Sequence, residues 1–207
     1  MSKILTEQEK FWSGEFGDKY AARNRGDVFY ANLLAFFSRI LSNTEKINSV
    51  IEYGANIGEN LRALSQLLPK AKLEAVEINK SASEEIIRWS NGSIKVYNKS
   101  VLDFRSKSKR DLVFVKGMLI HINPKKLGVV YNILYETSSK YILIGEYYNQ
   151  SPVGIDYRGN KNKLFKRDFC GEIMNKYPDL KLVDYGFVYH RDPIFPQDDI
   201  TWFLLEK

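Results

Sequence analysis

The 207-residue sequence predicts a single α/β domain: a seven-stranded, mostly parallel sheet with helices on both faces and an antiparallel C-terminal hairpin strand. Three observations predict it. From residue 50 onward, short apolar runs alternate with segments of helical period, as in strands joined by crossover helices. The last two apolar runs have no helical segment between them, so they pair as an antiparallel hairpin at one edge. The length suits one hydrophobic core.

The elements follow in order. Val50–Tyr53 is a short apolar strand ending at Gly54. A helix starts near Glu59, with Leu61, Leu64 and Leu68 on one side and Pro69 just beyond it. Leu73–Ile78 is the second strand, and Ser81-Ala82-Ser83-Glu84 reads as a capping box opening the next helix. Ile94–Tyr97 is the third strand. Leu112–Val115 is the fourth, and its unbroken apolar character suits burial on both faces. Asn123-Pro124 starts a helix, with asparagine as cap and proline in the first turn; Val129, Ile133 and Leu134 form its stripe. Tyr141–Ile144 is the fifth strand, and a helix runs from about Lys166 to Lys176. Leu182–Val188 and Thr201–Leu205 close the chain, joined by a loop with Pro193 and Pro196. The N-terminal stretch is aromatic and glycine-bearing, and Phe29–Leu41 is a helix with Leu33, Phe36, Phe37 and Ile40 inward. Residues 1–45 are therefore expected as a helical lid over the sheet's carboxyl edge, and 46–207 as the core.

Composition narrows the function. Hydrophobic residues make up 44% and charged residues 27%, the balance of a soluble globular protein. No apolar run approaches the roughly 18 residues of a membrane span. Residues 1–10 are polar, without the apolar stretch of a signal peptide. Cys170 is the single cysteine, which excludes an internal disulfide and a cysteine metal site and makes the cytoplasm the expected compartment. The net charge of +6 suits an anionic small substrate or nucleic acid. The basic residues are scattered, with no long stripe, and the densest cluster, Lys107–Arg110, is expected in a surface turn. The expected partner is thus a small molecule rather than nucleic acid or a membrane.

Four segments carry candidate chemistry, all at strand ends where doubly wound sheets bind ligands. In Glu52-Tyr53-Gly54-Ala55-Asn56-Ile57-Gly58 the glycines permit a tight turn and close backbone approach. Glu52 is an acid at the strand tip, suited to a cationic ligand and unsuited to a pyrophosphate. Asn56 stands where the dinucleotide fingerprint has its middle glycine. Glu77, followed by Ile78, ends the second strand ~20 residues after the loop, the usual place for a carboxylate holding a ribose diol. Ser100-Val101-Leu102-Asp103 follows the third strand, where an adenine would lie; Asp103 is either an acceptor for an exocyclic amine or a cap on local backbone. Lys116-Gly117-Met118-Leu119-Ile120-His121-Ile122 follows the fourth. His121 is either a base toward a substrate hydroxyl or amine, or a buried histidine bonded to backbone. Trp12 and Tyr20 belong to an aromatic group with Phe11 and Phe16 that must cover something, whether a bound ligand or the sheet edge.

The Glu-x-Gly-x-x-x-Gly loop, Glu77 and Leu119-Ile120-His121-Ile122 together resemble class I methyltransferases. Longer segments are similar to the pseudaminic acid biosynthesis-associated methylases: Lys116–Pro124, Tyr141–Asn149, Leu164–Phe169, Asp184–Phe187 and Phe195–Asp199. The resemblance spans about Glu9 to Lys207. It implies a Rossmann-like class I methyltransferase fold and S-adenosylmethionine as cofactor, whose ammonium and sulfonium suit Glu52. It implies cofactor contacts from Glu52, Gly54, Asn56, Gly58, Glu77, Ile78, Ser100, Val101, Asp103 and Lys116, with Trp12 and Tyr20 from the lid. His121 is the implied catalytic residue. The implied acceptor is a nonulosonic acid or its nucleotide-activated form, in a bacterial enzyme of pseudaminic acid biosynthesis. The sequence departs from the general class I pattern at Asn56 and at Ser100, where an acid is common. Such an acceptor carries a carboxylate or phosphate, for which Arg158, Lys161, Lys163, Lys166, Arg167 and Arg191 are the cations near the expected pocket. Competing readings are an RNA or protein methyltransferase with the same cofactor site, a nicotinamide-dependent dehydrogenase, and a catalytically silent cofactor-binding partner. Glu52 and the missing middle glycine argue against the dehydrogenase.

Overall fold

The computed structural model, which describes residues 5–21 and 27–207, builds its sheet outward from β1 (Ser49–Tyr53). Parallel pairing sets β2 (Lys72–Glu77) on one side of β1 and β4 (Arg110–Lys116) on the other. β3 (Lys95–Asn98) lies parallel beyond β2, and β5 (Ser138–Glu146) parallel beyond β4. β9 (Ile200–Glu206) pairs antiparallel with β5, and β8 (Lys181–Val188) pairs antiparallel with β9 at the edge. The order is β3-β2-β1-β4-β5-β9-β8. Chain order reverses between β1 and β4, and at such a reversal the loops leaving the strand ends part and open a crevice. The seven strands and the C-terminal hairpin match the sequence-based expectation.

Strand alternation divides the core into two layers. Leu112 and Phe114 of β4, with Tyr141 and Leu143 of β5, face α3 (Asp27–Leu41), α4 (Glu59–Leu67) and α5 (Lys80–Ser90). Val113 and Val115, with Ile142 and Ile144, face α6 (Leu127–Thr137) and α7 (Phe169–Lys176). Leu33, Phe36, Phe37 and Ile40 are all buried. Spaced i, i+3, i+4, i+7, they form one stripe, and that stripe beds α3 on a sheet face rather than over the carboxyl edge. α1 (Glu7–Ser13) and α2 (Glu15–Ala21) lie over that edge, and α3 reaches it with Phe29 of its first turn.

Local details also depart from expectation. The cap of α5 is Asn79, whose side chain accepts from the Ala82 N–H, so the helix starts before the Ser81–Glu84 box. Arg110 is buried, not in a surface turn: its Nη2 donates to both oxygens of Glu74 at 2.7 Å, and these charge-assisted bonds replace the hydration both charges lose. Residues 153–166 form a hairpin, β6 (Val153–Tyr157) and β7 (Asn160–Lys166), where no strands were predicted. Its two-residue turn has Arg158 and Gly159 both at positive φ, the geometry that matches strand twist. α7 begins at Phe169, capped by Asp168. Among the described residues no helix is long and apolar enough to cross a membrane.

Candidate active site

A cavity opens at the carboxyl ends of β1, β2 and β4, with α1, α2 and Tyr157 of the hairpin as its roof. The loop after β1 forms its floor. Gly54 (φ 76°) turns the chain so that its N–H reaches Val76 O at 2.8 Å, tying the loop to β2. A Cβ at Gly54 would fall 2.3 Å from Met118 Cγ, so the glycine admits Met118. Asn56 follows at φ 49°, a conformation asparagine tolerates better than most residues. Both line the cavity. Gly58 does not: at φ 80° its missing Cβ makes room for Ile86 and Trp89 of α5. Nor does Glu52 reach the cavity wall. It is fully buried, Oε1 accepting from Asn60 Nδ2 at 2.6 Å and Oε2 without a partner among the described residues; burial pushes its pKa up to about 8, so it holds a proton at neutral pH.

Glu77 stands at the tip of β2. Its Oε2 accepts the Asn56 N–H and its Oε1 the Asn79 N–H, each at 2.7 Å. Burial raises its pKa while those backbone donors oppose the rise. Each oxygen keeps lone-pair capacity toward the cavity, which Glu77 and Ile78 line. Asn79 links this tip to the roof, its Nδ2 donating to Trp12 O at 3.2 Å and to Asp18 Oδ1 at 2.9 Å. Beyond β3, Ser100 and Val101 line the cavity, with Ser100 Oγ accepting the Leu102 N–H. Asp103 is exposed and off the cavity.

The β4 end brings Lys116, Gly117, Met118 and His121 to the wall. The turn Leu119–His121 is fixed by Glu146 at the end of β5, whose Oε1 accepts the Met118 and Leu119 N–H groups at 2.9 and 2.7 Å. Burial lifts Glu146 to about 7 against those donors. Glu146 and Tyr148 themselves do not line the cavity. His121 Nδ1 lies 2.6 Å from Lys163 O of β7. A carbonyl only accepts, so Nδ1 carries the proton and Nε2 is the basic nitrogen. Burial depresses the imidazole to about 4. The ring sits 4.4 Å from that of Trp12 and 5.0 Å from that of Tyr157, centroid to centroid.

The roof is tied down by polar contacts that the sequence reading missed. Gln8 donates to Asn162 O and accepts from Asn123, and Lys163 pairs with Glu7. Thus β7 is joined both to α1 and to His121. Trp12 and Tyr20 line the cavity, and Gly17 lets α2 pass against Trp12 O and Asn79. None of Arg158, Lys161, Lys163, Lys166, Arg167 and Arg191 lines it; Lys163 and Arg167 are spent on Glu7 and Glu172. Among the described residues the cations on the wall are Lys99 and Lys116. Among the described residues no three His, Cys, Asp or Glu gather to hold a metal. The hairpin had a readable signal, alternating Val153, Ile155 and Tyr157 before Gly159. Gln8 and Asn123 had none, because their roles arise only by contact across the fold.

The sheet order, helix placement and crevice are those of the Rossmann-like class I methyltransferase fold. Magnesium protoporphyrin IX methyltransferase from Synechocystis PCC 6803, solved with bound SAM, superposes with a TM-score of 0.68 at 11% identity, over 100% of both chains. The 1,6-didemethyltoxoflavin-N1-methyltransferase of Burkholderia thailandensis, solved with 1,6-didemethyltoxoflavin and S-adenosylhomocysteine, gives 0.71 at 12%, over 100% of this chain and 93% of that one. A S-adenosylmethionine-dependent methyltransferase from Clostridium acetobutylicum gives 0.64 at 12%, over 92% and 97%. No family model matches the chain, and no curated protein matches it in sequence.

Proposed function

We propose that the protein is an S-adenosylmethionine-dependent methyltransferase acting on a small anionic sugar-type acceptor, a nonulosonic acid or its nucleotide-activated form, in pseudaminic acid biosynthesis. The observation that carries the cofactor is Glu77: a buried carboxylate at the β2 tip, both oxygens fixed by backbone N–H groups, facing a cavity beside the tight loop Gly54–Gly58. That is the acceptor set a ribose diol needs, and Ser100, Val101 and Ile78 extend the wall for an adenine. Trp12 and Tyr20, with α1 and α2, act as a lid. Solved neighbours of the same fold are methyltransferases with this cofactor or its product bound.

When bound, the cofactor supplies an electrophilic methyl group. The chain's own work is to hold the acceptor in line and to exclude water, which the aromatic roof does. His121 presents Nε2 as a hydrogen-bond acceptor, its tautomer set by Lys163 O. With a pKa of about 4 it is a weak base, suited to orienting an O–H or N–H whose proton departs late. Calorimetry with S-adenosylhomocysteine and with NAD tests the cofactor: binding of the first alone is expected. Incubating the protein with S-adenosylmethionine and free or nucleotide-linked nonulosonic acids tests the acceptor, with a mass gain of one methylene expected. Binding of NAD alone would overturn the reading.

A further inference from the structure

Lys116 ends β4, and its half-buried side chain lines the cavity. Among the described residues its ammonium makes no hydrogen bond or salt bridge; its recorded contact is the Phe36 ring, 5.5 Å from the centroid. The acids around it do not neutralise it by contact. Glu52 behind it is pushed up to about 8 and Glu146 to about 7 by burial, so neither is a full counter-charge at neutral pH. Asp198, exposed on the cavity wall, is the acid whose charge acts on it most, and it too makes no salt bridge with the ammonium. Burial holds Lys116 below its ordinary pKa, opposed by the charges of Asp198, Glu52 and Glu146. A cation so enclosed is costly without a partner, and an anion in the cavity would relieve the cost.

Its position says which anion. Glu77 ends β2, while Lys116 ends β4, two strands away and so roughly 10 Å across the sheet. The Lys116 side chain leans farther still from Glu77: its Cγ is 3.5 Å from where a Cβ on Gly145 of β5 would stand, and Phe36, Asp198 and Ile200 surround that end. The nucleoside half of the cavity is therefore at β2, and Lys116 belongs to the opposite half, beyond the loop at β1. The six surface cations that the sequence offered for an anionic acceptor are off the wall, and the other lining cation among the described residues, Lys99, is exposed beside Ser100 on the nucleoside side.

We infer that Lys116 is not the cofactor contact that the resemblance implies but the anion-recognition residue for the acceptor, pairing with its carboxylate or phosphate. The inference rests on the methyltransferase reading for the identity of the two halves. Lys116→Met keeps the length of the side chain and removes the charge, and Lys116→Arg keeps the charge.

The test uses the full chain. S-adenosylhomocysteine affinity is measured first, for wild type and Lys116→Met, and is expected to agree within about twofold. Inorganic phosphate and N-acetylneuraminate are then titrated into the protein saturated with S-adenosylhomocysteine. Binding is expected in wild type, weakened ~10–100-fold in Lys116→Met, and largely restored in Lys116→Arg, the size of a lost charged hydrogen bond. A large fall in S-adenosylhomocysteine affinity would overturn the proposal and assign Lys116 to the cofactor's own carboxylate. Equal anion binding by wild type and Lys116→Met, or no binding of either anion to wild type, overturns it too. If S-adenosylhomocysteine fails to bind at all, the methyltransferase reading falls instead. Lys116-dependent binding of phosphate to the free protein would then still establish the anion site.

Discussion

Replacing His121 by asparagine separates its electrostatic state from its role in turnover. The Asn amide keeps a donor for Lys163 O, where Nδ1 now lies at 2.6 Å. It removes Nε2 and the capacity to take a proton. Burial lowers the folded imidazole to about 4, against an unfolded value near 6.5. Above about pH 6.5 both states hold it neutral and no stability depends on it. Between about 6.5 and 4 the unfolded chain binds a proton that the folded chain refuses, so stability falls as pH falls. At about 1.4 kcal/mol per unit, the loss at pH 4.5 is about 2–3 kcal/mol in wild type and absent in His121→Asn. Urea unfolding of both proteins at pH 7.5 and pH 4.5 measures it; these pH values are chosen at about one unit above and two below the ordinary histidine pKa. The raised carboxyls Glu52, Glu77 and Glu146 are common to both proteins and cancel in the difference. A wild-type-minus-mutant difference that is the same at both pH values would refute the buried neutral imidazole. Turnover of His121→Asn is expected to fall by about 10²-fold with S-adenosylhomocysteine affinity little changed. Turnover within a factor of about two would remove Nε2 from the reaction.

Glu77→Ala should weaken S-adenosylhomocysteine binding by about 1.5–3 kcal/mol in calorimetry. It should also lower the melting temperature, because the Asn56 and Asn79 N–H groups lose their acceptor. Gly54→Val should abolish cofactor binding and destabilise the loop, since φ is 76° and the new Cβ meets Met118; retained affinity in a titration would place the cofactor elsewhere. Deleting residues 1–24 should weaken S-adenosylhomocysteine binding, because Trp12, Gly17 and Tyr20 line the cavity; an unaltered dissociation constant would deny α1 and α2 a lid role.

Alternation of apolar runs and helical periods already determined the seven strands, their order in the chain and the C-terminal hairpin. Each depends on local side-chain spacing: the unbroken apolar run Leu112–Val115 fits a strand buried on both faces, and Leu33, Phe36, Phe37 and Ile40 fit one helical stripe. Strand-end position likewise marked Gly54, Asn56, Glu77 and His121 as neighbours, because a parallel sheet gathers all its carboxyl ends on one side. What spacing does not encode is direction and company. The tertiary structure turned Gly58 toward α5, hid Glu52 behind the wall, left Asp103 outside, laid α3 on a sheet face and buried Arg110 against Glu74. It also fixed the tautomer of His121 through Lys163 O, 42 residues away, and left Lys116 facing the cavity without a partner among the described residues. Those outcomes depend on contacts between residues far apart in the chain. Burial and pairing there set charge and protonation, and neither exists until the chain has folded.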